Sequence, residues 1–148
     1  MLLALACDLV VARESASLTL AFTRIGLMPD GGATATVAAS VGRARAMRLA
    51  LLSDLLTARE AFGAGLVSHV FPDESYAESL EGIVARLSRG APLALAATKK
   101  AVNAATLGDL PESFGRERSG QSLLLRTDDA AEGMRAFTQK RRPEFNGR

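Results

Sequence analysis

Tryptophan is absent from this 148-residue chain, aromatic residues make up only 5% of it, and cysteine and histidine occur once each. Each scarcity excludes something. A lone Cys7 cannot close an internal disulfide, and one cysteine with His69 does not make a zinc site, so no metal is expected. With so few rings, alanine, leucine and valine must do most of the packing. No apolar run is long enough to span a bilayer. The opening MLLALACDLVVA imitates a secretory leader but has no basic start and is interrupted by Asp8, so it reads as part of the fold. The expectation is therefore a cytoplasmic protein with no membrane partner. Charge of one sign is lacking too: 18 basic residues against 16 acidic ones leave a net charge of +2, spread along the chain, and no nucleic-acid partner is expected. No P-loop is present. Gly63-Ala64-Gly65 is not a dinucleotide fingerprint, because Ser68 stands where the third glycine belongs and a helix precedes it.

What is present is ordinary globular material, 48% apolar and 23% charged, enough for one domain. Residues 2–7 read as a helix already under way. DLVVA (8–12), SLTLAF (17–22) and LVSHVF (66–71) are β-prone runs. Over 43–53, Ala46, Leu49, Ala50 and Leu52 share a helical face. Thr57 and Glu60 have capping-box spacing, and Gly65 closes the short helix they start. Helices are expected over about 75–89, from Pro92 through LALAATKKAVNAA, and over 111–126, with a last one capped by Asp129 and Glu132. The layout is β-rich early and helical afterwards.

Few residues in this layout carry chemistry by local rules alone. Ser68 and His69 are strand neighbours pointing to opposite faces, so they do not form a nucleophile–base pair, and His69 reads as structural. Glu60, Glu112, Glu117 and Glu132 lie on helices where caps and ion pairs account for them. Asp30, in GLMPDGGAT (26–34), reads as a turn residue: proline presets φ, aspartate bonds its own backbone, and glycine takes the positive φ. Lys140, Arg141 and Arg142 read as a solvated end of the chain.

Six blocks in order change the weight on Asp30: LALACDLVVA, AFTRIGLMPDGGAT, VGRARAMRLALLS, LTAREAFGAGLVSHVFP, APLALAATKKAV and DDAAEGMRAFTQKRRPEF. Together they resemble the enoyl-CoA hydratase/isomerase (crotonase) family over essentially the whole chain, and specifically its C-terminal portion. The resemblance implies an α/β fold, a partial spiral of ββα units over 1–72, followed over 73–148 by a helical region that drives trimerisation and contacts coenzyme A. It implies an acyl-CoA substrate, with coenzyme A belonging to that substrate and no separate cofactor, and a homotrimer or a hexamer made of two trimers. It also implies that an oxyanion hole, two N–H donors that bind the thioester oxygen, draws on segments preceding this sequence.

Hydratases of the family are similar to one another in carrying two glutamates that handle water; at the matching positions this chain has Leu2 and Phe22, neither able to transfer a proton. The P-D-x-G form of the turn looks like the branch that isomerises ring-opened phenylacetyl-CoA derivatives and related unsaturated acyl-CoAs, in which that aspartate is the acid/base. The resemblance thus makes Asp30 the catalytic candidate. Phe22, Ile25 and Leu27 would wall the acyl pocket, Phe137 would lie against the adenine, and Lys140 would meet a phosphate. Double-bond isomerisation leads; hydration or lyase chemistry, and an inactive oligomerising fragment, stand as alternatives.

Overall fold

The computed structural model describes residues 1–148. A single helical turn, α1 (Leu2–Leu5), leads into β1 (Val11–Arg13) and β2 (Ser17–Leu18), and the chain then coils into a 3₁₀ turn at Phe22–Ile25. Both β-prone runs are trimmed relative to expectation, and Phe22 is not in a strand. Side chains of the 3₁₀ turn explain the early end of the second: the Thr23 hydroxyl donates to the Ala50 carbonyl at 3.2 Å and the Arg24 guanidinium donates to that of Ser53, drawing the segment onto the next helix. Gly26, at φ 73°, closes the turn.

That helix, α2 (Ala33–Leu52), starts ten residues before the expected 43 and bends at Gly42, which sits at φ 75° and ψ 162°. Leu49 is buried and Ala46 and Ala50 are half-buried as the periodicity requires, but Leu52, the last residue of the helix, is exposed. β3 (Leu56–Thr57) pairs antiparallel with β2. The capping box then forms at α3 (Ala58–Ala64): the Thr57 hydroxyl accepts from the Glu60 N–H at 3.2 Å, and the Glu60 carboxylate accepts from the Thr57 N–H at 2.8 Å. Gly65, at φ 87°, ends the helix and delivers β4 (His69–Phe71) to β1, parallel, with Val11 opposite His69 and Arg13 opposite Phe71. The apolar cluster extends from Ala12 and Leu20 through Val37 and Leu49 to Leu66 and Val67.

Beyond β4 the chain is helical: α4 (Tyr76–Ser88), α5 (Pro92–Thr106), α6 (Leu110–Leu124) and α7 (Asp128–Thr138). Pro92 occupies the first turn of α5, where its missing N–H costs nothing. The cap of α7 differs from expectation. Thr127 is the N-cap, its hydroxyl accepting from the Ala130 N–H at 3.1 Å. Asp129 and Glu132 are engaged by the C-terminal segment instead: Asp129 accepts from the Asn146 and Gly147 N–H groups, and Glu132 accepts from Arg141.

Candidate active site

The turn before α2 needs two left-handed residues, and glycine fills both: Gly31 is at φ 63° and Gly32 at φ 81°. The Ala33 N–H donates to the Asp30 carbonyl at 3.1 Å, so Asp30 is a turn residue as expected, but its side chain bonds Gln121 and not its own backbone. Gly32 is the N-cap of α2 yet has no side chain with which to cap it. The missing cap comes from α6. Glu117, only 2% exposed, accepts from the Gly32 N–H at 2.7 Å, the Thr34 N–H at 2.9 Å and the Thr34 hydroxyl at 2.5 Å. A buried carboxylate is tolerable when charge-assisted hydrogen bonds and the positive end of a helix meet it. The structural use expected of Glu117 is thus a cap, made across the fold.

One helical turn further along α6, the Gln121 side chain reaches the same loop. Its Nε2 donates to Asp30 Oδ2 at 2.9 Å, and its Oε1 accepts from the Met28 N–H at 3.3 Å. Close packing supports these bonds: a Cβ on Gly32 would come within 3.2 Å of Phe114, and one on Gly120 would strike the Met28 sulfur at 2.1 Å. Nothing local marks Gln121 as a partner of Asp30. The available signal is a polar row at helical spacing, Ser113, Glu117 and Gln121, on the inner side of α6, where apolar residues would be expected.

Next to this turn lies an open, largely apolar cavity of about 790 Å³ between α1, the 3₁₀ turn and α7. Leu2, Phe22, Ile25, Met134 and Phe137 contribute its apolar wall. This volume lies within the range of sites for small organic ligands. Leu2 connects the cavity to the turn, since a Cβ on Gly31 would lie 3.4 Å from its Cδ1. The structure therefore brings Phe22, Ile25 and Phe137 together around one space; Asp30 does not line it, and its neighbour Gly31 packs on Leu2, which does. Leu27 is half-buried but does not line the cavity, because Gly26 turns the chain away before it. Lys140 is exposed, at φ 54°, two residues past the cavity's last residue, Thr138. Arg141 is committed to Glu132, donating to both carboxylate oxygens at 2.5 and 2.8 Å. Those bonds, with a further one from the Glu144 N–H, hold the Glu132 carboxyl down at about 2.

His69 takes no part in this site. Its ring stacks on Phe71, its Nδ1 is buried without a partner, and Ser68 donates instead to the Val10 carbonyl at 2.7 Å. The described residues contain no cluster of histidine, cysteine and carboxylates suited to a metal ion.

Residues 1–148, the whole chain, match the profile described as enoyl-CoA hydratase/isomerase. The chain belongs to that family. A protein of Rhodobacter capsulatus named "Probable enoyl-CoA hydratase" is 43% identical over 146 residues, which are 99% of this chain and 57% of that protein. The 1,2-epoxyphenylacetyl-CoA isomerase of Escherichia coli K12 is 38% identical over 99% of this chain and 56% of its own length. Among solved structures, an enoyl-CoA hydratase from Mycobacterium avium subsp. paratuberculosis superposes with a TM-score of 0.96 and 52% identity, covering 98% of this chain and 59% of that one. The crotonase-like α/β fold is thus shown, and the chain spans somewhat more than half the length of the relatives it matches. Within the enoyl-CoA hydratase/isomerase family, both hydratases and isomerases are therefore similar to it at comparable identity.

Proposed function

We propose that the complete protein is an acyl-CoA double-bond isomerase, with Asp30 as its acid/base. The observation that carries this reading is the make-up of the cavity and of the turn that packs on Leu2: Asp30 stands on the turn, while Leu2 and Phe22, at the positions where the family's hydratases carry glutamates, are apolar and line the cavity. Hydration needs a group to activate water and another to protonate carbon. Isomerisation needs only one. A thioester acidifies its α-proton and, through a conjugated double bond, the γ-proton; one carboxylate removes a proton, the C–H electrons pass into a dienolate, and the same carboxylic acid returns the proton two carbons away. The dienolate oxygen requires N–H donors worth roughly 3–4 kcal/mol each by analogy with other oxyanion holes. In this reading Phe22 and Ile25 wall the acyl space, Leu27 supports the loop behind them, Phe137 meets the adenine of coenzyme A, and Lys140 meets a phosphate as a point charge.

The partner is an acyl-CoA that brings its own coenzyme A, the assembly is a trimer or a pair of trimers, the location is the cytoplasm, and no further cofactor is required. Residues 1–72 belong to the spiral core and 73–148 to the oligomerising, CoA-contacting region. Hydratase names among the relatives favour the rival chemistry. A panel of unsaturated acyl-CoA thioesters, assayed on the complete protein with hydration and double-bond migration scored separately, distinguishes the two. Migration without net water addition is expected; hydration at a comparable or greater rate would overturn the assignment, and absence of both would favour a non-catalytic role.

A further inference from the structure

Two side chains of α6 approach the Asp30 loop from a long way along the sequence, Glu117 and, four residues later, Gln121. Their tasks differ. Glu117 holds main-chain N–H groups at Gly32 and Thr34, fixing where α2 begins. Gln121 holds the Asp30 side chain itself. The orientation of its amide follows from its second bond: the Met28 N–H can only donate, so the Gln121 oxygen must face it, and the amide nitrogen is then the atom presented to Asp30. A donor so fixed can bond an unprotonated Oδ2 and has no acceptor to offer a protonated one. No hydrogen bond within this chain reaches Asp30 Oδ1.

From this we infer that Gln121 is a positioning residue for Asp30. It holds Oδ2 as the permanently accepting oxygen and leaves Oδ1 as the oxygen that takes the proton from substrate carbon and returns it. The inference rests on Asp30 being the acid/base. Oδ1 gains the proton when the C–H bond breaks and loses it when the new C–H bond forms, while Oδ2 keeps its bond to Gln121 throughout. Several charged groups on the neighbouring elements of this chain are engaged elsewhere. α1 has no ionisable side chain, Arg24 of the 3₁₀ turn donates to the Ser53 carbonyl, the arginines of α2 begin only beyond its bend, and on α6 Glu117 is taken up by the α2 terminus while Arg116 pairs with Asp109.

The test uses three variants of the complete protein: Asp30→Asn, Gln121→Glu and Gln121→Leu. Gln121→Glu keeps an oxygen for the Met28 N–H but puts a second carboxylate where the donor was; Gln121→Leu removes both bonds. A second carboxylate within hydrogen-bond distance opposes ionisation of its neighbour, so Gln121→Glu must move the acid limb of the pH–rate profile to higher pH. For Gln121→Glu the expected result is an acid limb displaced upward by about one pH unit or more, with kcat lowered at least tenfold and KM within about twofold of wild type. For Gln121→Leu, which adds no charge, the expected result is a lowered kcat with KM near that of wild type and Tm unchanged. Activity retained in Asp30→Asn would overturn the acid/base reading and this inference with it. If Asp30→Asn is inactive while the acid limb and kcat of Gln121→Glu match wild type, the base reading stands and the positioning role is overturned. Loss of activity in Gln121→Leu alone, accompanied by a lower Tm, would likewise assign Gln121 to folding and reject the inference.

Discussion

Glu132 shows at the scale of one residue how the chain's end is tied down. Its carboxyl sits at about 2, below the ordinary 4.5, chiefly because Arg141 donates to it and secondarily because the Glu144 N–H does. A folded value below the unfolded one contributes stability that is complete above about pH 4.5 and disappears as pH falls toward 2. Thermal unfolding of Arg141→Ala should therefore trail wild type at pH 6, with the gap closing between pH 4.5 and 2.5; a gap independent of pH would show that this pairing is not its source. At the same scale, the sequence made Asp30 visible because proline and glycine announce its turn. Glu117 and Gln121 stayed hidden because their partners lie 85 and 91 residues away and no local rule reaches that far.

Among the elements, α7 and the 3₁₀ turn form the two sides of the cavity, and Gly133 lets them meet. A Cβ there would lie 2.4–2.5 Å from the Ile25 backbone, which cannot yield as a flexible side chain could. Gly133→Ala is predicted to cost about 1–3 kcal/mol or more, and so to lower Tm by at least several degrees. Gly63→Ala provides the contrast: an added Cβ meets nothing, and replacing a helical glycine should raise stability by about 0.5–1 kcal/mol. Equal Tm values for the two variants would contradict this packing. Which elements were readable follows from where their signals lie. The α3 capping box, Gly65 and Pro92 are signals within the elements they bound. The start of α2 has none, since Gly32 offers no capping side chain and the cap arrives from α6. The early end of β2 is equally a tertiary effect, set by the pull of Thr23 and Arg24 toward the end of α2.

For the molecule as a whole, only 17 of 148 residues are buried, while Leu3, Leu93 and Phe137 are 88%, 86% and 77% exposed, so apolar faces remain uncovered. Both sheets have only two strands, and α4 and α5 bury no residue. Two-stranded sheets with open edges and exposed apolar helices favour association. The 148-residue chain expressed alone is predicted to form oligomers or aggregates in light scattering; a stable monomer at tens of micromolar would contradict this. Family and fold were legible at this scale because six blocks in order constrain a chain more than any local propensity does. The chemistry depends on which side chains meet at one turn. The most direct test of that chemistry is the rate of double-bond migration by the complete protein carrying Asp30→Asn, measured on an unsaturated acyl-CoA whose binding the substitution leaves intact. A fall of about a hundredfold or more is expected for removal of the acid/base; migration at the wild-type rate would contradict the account.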